Sequence, residues 1–495
     1  MKKPNILFIL LDDMGWKDLS CYGSEFYETP RIDALAGEGV RFENAYAACP
    51  VCSPSRASIM TGKYPARVGV TDFLVSNARG KLIDAPYVHH LPLDEYSLAN
   101  ALRDGGYQTW HVGKWHLGEE PYYPEKHGFD VNIGGCEFGL PRSGYFSPYH
   151  IPTLPDGPKG EYLTDRITDE AIRLIESRDP SRPFYLNLWH YAVHVPIQAS
   201  DRALVEKYRQ KAKRMGLDTR QTFAEGDFFP CEHKKDKRIV RRLIQSDPEY
   251  AAMIENLDMN VGRVIDALKK CGIYEDTLII FTSDNGGLAT AEGSPTCNMP
   301  SIEGKGWMYD GGVHIPLIVA GTDMVARGIT VDALFSSPDF YPTLLHLAGL
   351  EMRPQQHVDG CDCSDALLGK TYRRAPMFWH YPHYGNQGGT PGCAVRDGDY
   401  KLLHFFEDDH DELYNIAQDP GEQRNLLSEE KEIAARLKAI LEAWLRDVEA
   451  RFPSENPDFK PWREDGGSGR EVALPFDLNR YDADVYYGKN LGNFH

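Results

Sequence analysis

The chain has 495 residues, which is too many for one simple core and predicts a large domain with a smaller one attached. Hydrophobic residues make up 42% and charged residues 26%, the balance of an ordinary globular protein. With 54 Lys+Arg against 73 Asp+Glu the net charge is −19, which excludes nucleic acid and anionic membranes as natural partners, and no apolar run approaches the length of a membrane span.

The first predicted strand is the apolar run Ile6–Leu11. It ends in Asp12-Asp13, so it reads as a buried strand and not as the apolar part of a leader. Cys52-Ser53-Pro54-Ser55-Arg56 comes next. Pro54 suits the first turn of a helix that runs on through Thr61 and stops at Gly62. A nucleophile at Cys52 then sits at the positive end of that helix. The run Thr109–Val112 predicts a second strand, followed at once by Gly113-Lys114-Trp115-His116-Leu117-Gly118. Phe184–Trp189 predicts a third, followed by His194-Val195-Pro196. The segment Asp201–Asp247 carries Lys234-Lys235-Asp236-Lys237-Arg238 and Arg241-Arg242. A solvated face or insertion is favoured there over a polyanion patch.

Tyr250, Ile254, Leu257, Val261, Val264 and Leu268 hold helical spacing over five turns. The strand Leu278–Thr282 then leads into Asp284-Asn285-Gly286. Gly304-Lys305-Gly306, Tyr309 and Gly311-Gly312 precede a further strand, Leu317–Val319. Strands alternating with helices predict an α/β fold around a large, mostly parallel sheet, whose ligands lie beyond the carboxyl ends of the strands. After about Leu368 the character changes. Asp397-Gly398-Asp399 joins two short strands, Ala394–Arg396 and Tyr400–Phe406, and Ser428 is placed to cap a helix reaching about Ala450. The predicted domains are 1–370 and a smaller α+β domain over 371–495, with an extended tail from Phe452.

Asp12, Asp13, Asp284 and Asn285 offer an all-oxygen donor set at strand ends. This suits Ca²⁺, with Mg²⁺ as the smaller alternative. The ten cysteines show no zinc spacing, and Cys361-Asp362-Cys363 is too tight for an ordinary bridge, so most are read as reduced and structural. The loop His380-Tyr381-Pro382-His383-Tyr384-Gly385-Asn386-Gln387-Gly388-Gly389 concentrates hydrogen-bonding and aromatic groups that suit a sugar ring. A polar interdomain loop is the plainer alternative.

Cys52–Arg56, extended by Ala57-Ser58-Ile59-Met60-Thr61-Gly62-Lys63-Tyr64, resembles the signature of the type I formylglycine-dependent sulfatases. The other segments quoted above follow in that family's order, and the resemblance spans about residues 4–425, through Tyr414 and Asp419-Pro420-Gly421-Glu422. It implies an alkaline phosphatase-like fold with helices on both sides of the sheet. It implies that a maturation enzyme oxidises Cys52 to Cα-formylglycine, whose hydrated aldehyde attacks sulfur. Asp12, Asp13, Cys52, Asp284 and Asn285 then bind the metal, and Arg56 supports the nucleophile. Lys114 and Lys305 meet the sulfate, His194 (with or without Lys305) protonates the leaving alcohol, and His116 removes a proton from the nucleophile's second hydroxyl. The family usually has Arg where this chain has His314, which leaves that Arg's role open.

His380, His383 and Asn386 are the candidate sugar-binding residues, since similar loops occur in microbial carbohydrate sulfatases. The expected substrate is a sulfated saccharide, with galactose- or N-acetylgalactosamine-4-sulfate favoured. A broad arylsulfatase, a phosphate or phosphonate ester hydrolase and a sulfated-glycan-binding protein are the alternatives. The resemblance also implies a periplasmic or secreted protein whose leader is not in this sequence, with a cytoplasmic location left open.

Overall fold

The computed structural model describes residues 3–460 except Val75 and Asn77, so most of the predicted tail lies outside the described residues. Eight strands form the main sheet in the order Ile329–Ser336, Val40–Tyr46, His314–Ala320, Thr277–Ser283, Asn5–Leu11, Phe184–Trp189, Gln108–Gly113 and Val131–Ile133. His314–Ala320 runs antiparallel to both neighbours, and the other pairings are parallel.

The sheet is covered on both faces. From the first strand, Leu7, Ile9 and Leu11 join one core with Ile254, Leu257 and Val261 of the helix Pro248–Lys270. Ile6, Phe8 and Leu10 join the opposite core with Phe340 and Leu344. A strand buried on both faces needs apolar residues at every position, which is why these central strands read as unbroken apolar runs. Val40–Tyr46 carries polar residues at half-exposed positions and Ile329–Ser336 at exposed ones, and neither left such a signal. Neither did Val131–Ile133 at the other edge.

The helix expected from Pro54 begins two residues earlier and spans Cys52–Thr61. Pro54 is its third residue and still lies among the first-turn positions, whose N–H groups have no partner within the helix. Gly62 ends it at φ +68, donating its N–H to Ser58. All ten residues of this helix are buried.

The C-terminal sheet is antiparallel, in the order Met377–Tyr381, Gly392–Asp397, Tyr400–Phe405 and His410–Asn415. Its hairpin pairs Asp397 with Tyr400, leaving a two-residue turn in which Gly398 takes φ +61. Leu437, Leu441 and Trp444 of the helix Lys431–Asp447 pack on Val395, Leu402 and Leu413. That helix starts after Glu430, so Ser428 does not cap it. The segment Asp201–Asp247 forms the helix Arg202–Arg214 and the hairpin Phe223–Phe228/Arg238–Arg242. Its basic run is partly consumed by internal contacts: Lys234 donates to the Gly385 carbonyl at 3.2 Å and Arg241 pairs with Glu303.

A buried ion network joins the two parts of the molecule. The Lys401 ammonium, with no solvent exposure, donates to Asp310 at 2.8 Å and to Glu422 at 2.9 Å. Glu422 accepts the Asp310 backbone N–H at 2.7 Å, so the Asp419–Glu422 turn clamps the Gly311-Gly312 segment to the C-terminal sheet. Lys401→Ala leaves two buried carboxyl groups without their cation. It is expected to cost about 3–5 kcal/mol in denaturant-induced unfolding, and a loss below about 1 kcal/mol would show that the network does not join the parts.

Candidate active site

Strand register assembles the site. Leu11 pairs with Ser283, so Asp12-Asp13 and Asp284-Asn285 leave adjacent strands at the same level. Gly113 pairs with Trp189, which brings Lys114 to the same edge. The Gly306 N–H donates to the Pro50 carbonyl at 2.9 Å, tying the Lys305 segment to the start of the Cys52 helix. Two glycines permit the close backbone approach behind this edge: a Cβ on Gly286 would lie 2.0 Å from the Gly311 carbonyl oxygen, and one on Gly304 would lie 2.3 Å from that of Gly287.

The structure brings together Cys52, Arg56, Lys114, His116, His194, Lys305, Asp12, Asp13, Asp284 and Asn285. All are buried. Arg56 Nε donates to Asp284 Oδ2 at 2.8 Å, its Nη1 donates to the Lys114 carbonyl at 3.0 Å, and its guanidinium lies over the Trp189 ring. Lys114 Nζ donates to Asp12 Oδ2 at 2.7 Å. Lys305 Nζ donates to Asp13 Oδ2 at 2.8 Å, and Asn285 Nδ2 donates to Asp13 Oδ1 at 2.8 Å. His194 Nε2 lies 3.5 Å from Asp13 Oδ2, while its Nδ1 faces the Val195 carbonyl at 2.8 Å. Cys52 Sγ lies 3.2 Å from His116 Nδ1. Asp13 and His116 hold φ of +64 and +54, conformations that non-glycine residues keep only where their surroundings impose them.

Burial and the neighbouring charges set the protonation of these groups. Burial raises the Asp12 and Asp284 carboxyls, against the opposing pull of Lys114 and Arg56. Burial also pushes Asp13 upward, but Lys305, His194 and the Asn285 amide outweigh it and hold Asp13 well below the usual carboxylate range. The Cys52 thiol is raised by burial despite Lys114 and Lys305, so unmodified Cys52 is a poor source of thiolate. Burial, then Lys114 and Arg56, push His116 far below its usual value. Burial, then Lys305, bring His194 to about 4. Both imidazoles are therefore neutral near pH 7.

The donor set fits a hard divalent cation. Asp12 Oδ1 and Asn285 Oδ1 are buried without a hydrogen-bond partner. Donor atoms of Asp12, Cys52 and Asp284 lie within 4.8 Å of one another. Two orphaned oxygens among three carboxylates are what an oxygen-coordinated ion satisfies. Asp72, Asp84 and His383 form another such group, but Phe73, Tyr381, Ala78 and Tyr384 already donate to three of the four carboxylate oxygens there.

The expected sugar-facing residues are held in different ways. His380 is buried: its Nε2 faces the Arg451 carbonyl at 2.8 Å and its ring packs against Phe406 and Phe452. His383 has no exposure and sits against Tyr87 and Tyr381, with Nε2 2.8 Å from Thr71 Oγ1. Both rings fill the interior where a strand and its following turn need polar partners. Asn386 is exposed and reaches Glu292 at 3.1 Å. The motifs gave no sign of Ser53, whose hydroxyl donates to the His116 carbonyl at 2.9 Å, or of Tyr145, whose hydroxyl holds the carbonyls of Tyr191 and His194. His314 is a packing residue, stacked between Trp16 and Tyr46 and facing the Glu43 carbonyl at 2.8 Å. A guanidinium still reaches this neighbourhood, because Arg396 of the C-terminal sheet contacts the Tyr46 hydroxyl.

Three carboxylates, an amide and three cations around one cysteine, at the carboxyl edge of a mostly parallel sheet, define a hydrolase centre for a small tetrahedral oxyanion. The family model described as Sulfatase matches residues 4–350, and the chain belongs to that family. It is a sulfuric ester hydrolase. A second model, described as N-sulphoglucosamine sulphohydrolase, C-terminal, matches residues 302–448. The chain is 33% identical to N-acetylgalactosamine-6-sulfatase of Canis lupus familiaris over 425 residues, covering 81% of this chain and 72% of that protein. It is 28% identical to N-acetylglucosamine-6-O-sulfatase of Bacteroides thetaiotaomicron, covering 93% and 88%. The solved structure of Ps i-CgsB in complex with k-i-k-neocarrahexaose is similar at TM-score 0.72 and 26% identity, covering 97% of this chain and 100% of that one. Membership implies a formylglycine at the Cys52 position and a divalent metal beside it. No described helix is long and apolar enough to cross a membrane.

The cation site has a direct physical test. A divalent cation at a hundredfold excess over its dissociation constant should stabilise the protein by about 2.7 kcal/mol, seen as a raised thermal midpoint. Asp12→Asn and Asp284→Asn should abolish most of that increment. An undiminished response to the cation in both variants would place the ion elsewhere.

Proposed function

We propose that this carbohydrate sulfatase uses Ca²⁺ and formylglycine at position 52 to remove a 6-O-sulfate from an N-acetylhexosamine of a sulfated glycan, after a maturation enzyme has converted Cys52. The observation that carries the reaction class is the set of lysines, histidines and strand-end carboxylates converging on Cys52. The 6-O position rests on the relatives, which act by name on N-acetylgalactosamine-6-sulfate and N-acetylglucosamine-6-sulfate. It replaces the 4-sulfate expectation, which those names do not support.

When bound, the divalent ion supplies positive charge at the sulfuryl oxygens, and formylglycine supplies the attacking oxygen in place of Cys52 Sγ. The rest is the work of this chain's own side chains. Arg56 fixes Asp284 through its Nε contact and so orients the carboxylate beside residue 52. Lys114 and Lys305 present ammonium groups where the sulfuryl oxygens gather charge. His116 Nδ1, at hydrogen-bond distance from the position-52 side chain, is the group that takes a proton there. His194 donates Nδ1–H to the Val195 carbonyl, which turns the unprotonated Nε2 of the neutral ring toward Asp13 and leaves the Lys305 ammonium on the same carboxylate as the protonated group at hand for the leaving oxygen.

The pH dependence follows from the base. Burial and neighbouring cations disfavour the His116 imidazolium, so its folded pKa is depressed. The neutral form persists as pH falls through the ordinary histidine value near 6.5 and is lost only below it. The acidic limb of kcat/KM is therefore expected below pH 6.5 and is expected to disappear as a titration in His116→Ala. An acidic limb at or above pH 6.5 would contradict the assignment.

Substrate is tested on matured protein by sulfate release from N-acetylgalactosamine-6-sulfate, N-acetylglucosamine-6-sulfate and N-acetylgalactosamine-4-sulfate. Turnover of a 6-sulfate should lead by about tenfold or more, as loss of one specific polar contact on the wrong isomer requires. Preference for the 4-sulfate, or turnover confined to aryl sulfates, would overturn the reading.

A further inference from the structure

The loop that follows Asp284-Asn285 brings an unassigned acid to the site. Glu292, Gly293 and Ser294 are consecutive residues with φ of +50, +90 and +43. Such a conformation is costly for Glu and Ser and persists only when the surroundings impose it. Here Glu292 Oε1 accepts from Asn386 Nδ2 at 3.1 Å and from Gln387 Nε2 at 2.9 Å, linking the catalytic domain to the loop 385–389. That loop is firmly held: Trp307 Nε1 donates to the Gln387 carbonyl at 3.2 Å, and Lys234 grips the Gly385 carbonyl at 3.2 Å.

Gln387 packs against Gly306, the residue that follows Lys305 in sequence. A Cβ on Gly306 would come within 2.7 Å of Gln387 Oε1, so the absence of a side chain there is what lets the amide approach this segment. Gln387 is 3% exposed, and its Oε1 is buried without a hydrogen-bond partner. A buried acceptor left free next to the site marks a place where a donor is expected. The Glu292 charge is also felt by both His194 and Lys305, which places it within electrostatic range of the chemistry. Glu292 itself is half-buried, and only its Oε1 is engaged by Asn386 and Gln387.

We propose that Glu292, Gln387 and Asn386 form the wall that reads the sugar ring bearing the sulfate, and that the Glu292 carboxylate restricts the substrate to rings with a single anionic group. Gln387 Oε1 accepts a hydroxyl or amide hydrogen of the ring. Glu292 accepts a second hydroxyl hydrogen and repels a further sulfate or a carboxylate on the same ring. This inference rests on the carbohydrate sulfatase reading above.

The test compares the monosulfated hexosamine that matured protein hydrolyses fastest with its disulfated counterpart. Wild-type protein should favour the monosulfate in kcat/KM by about tenfold or more, the scale expected for two like charges a few ångströms apart in a partly buried site. Glu292→Gln retains a hydrogen-bond acceptor toward Asn386 and removes the charge. It should shrink that ratio by about tenfold, chiefly through KM of the disulfate. Glu292→Asp retains the charge and should retain the discrimination. A ratio unchanged in Glu292→Gln, or a wild-type preference for the disulfate, would overturn the inference and reduce Glu292 to a brace between loops. Absence of turnover on every sulfated saccharide would instead overturn the function on which it rests.

Discussion

The centre depends on a buried balance of three carboxylates against three cations. Asp12, Asp13 and Asp284 face Lys114, Lys305 and Arg56 with scarcely any solvent. Taking any one of these charges out of water alone is prohibitive, so each is held in place by the others. The balance also resolves a difficulty posed by the sequence. A chain of net charge −19 must bind an anion. The site without its ion is close to neutral, and a divalent cation on the orphaned oxygens of Asp12 and Asn285 tips it positive. Attraction for the sulfate is thus supplied locally, where the low dielectric strengthens it, while the surface keeps its negative field.

Much of this was legible from the chain because parallel strands buried on both faces announce themselves as apolar runs. In such a sheet the residues just past the strand ends must converge. Asp12-Asp13, Lys114, His194 and Asp284-Asn285 could be placed together by that rule alone. The strands Val40–Tyr46 and Ile329–Ser336 were not read, since polar residues alternate with apolar ones there and break the apolar run.

The sugar-facing wall was legible only in part. His380 and His383 have the composition of a binding loop, but composition does not report which way a ring points, and both rings are buried with Nε2 held by Arg451 and Thr71. Glu292 carries no motif. Its position depends on a left-handed run whose direction is set by tertiary contacts. His314 teaches a related point: its ring stacks on Tyr46, and Arg396, far away in sequence, reaches the hydroxyl of that tyrosine from the other sheet. The Asp419–Glu422 turn is likewise structural, binding the glycine segment behind Lys305 through Lys401 and Asp310.

The account stands on conversion of Cys52, whose thiol is buried and held protonated as it is. The most direct measurement is the mass of the peptide bearing residue 52, taken alongside sulfate-releasing activity in preparations of graded maturation. Conversion of the thiol to the aldehyde lowers the peptide mass by about 18 Da, on the chemistry of an oxidisable cysteine. The account predicts that activity rises in proportion to the converted fraction and is absent from Cys52→Ala. Full activity in protein whose Cys52 is wholly unmodified would contradict it.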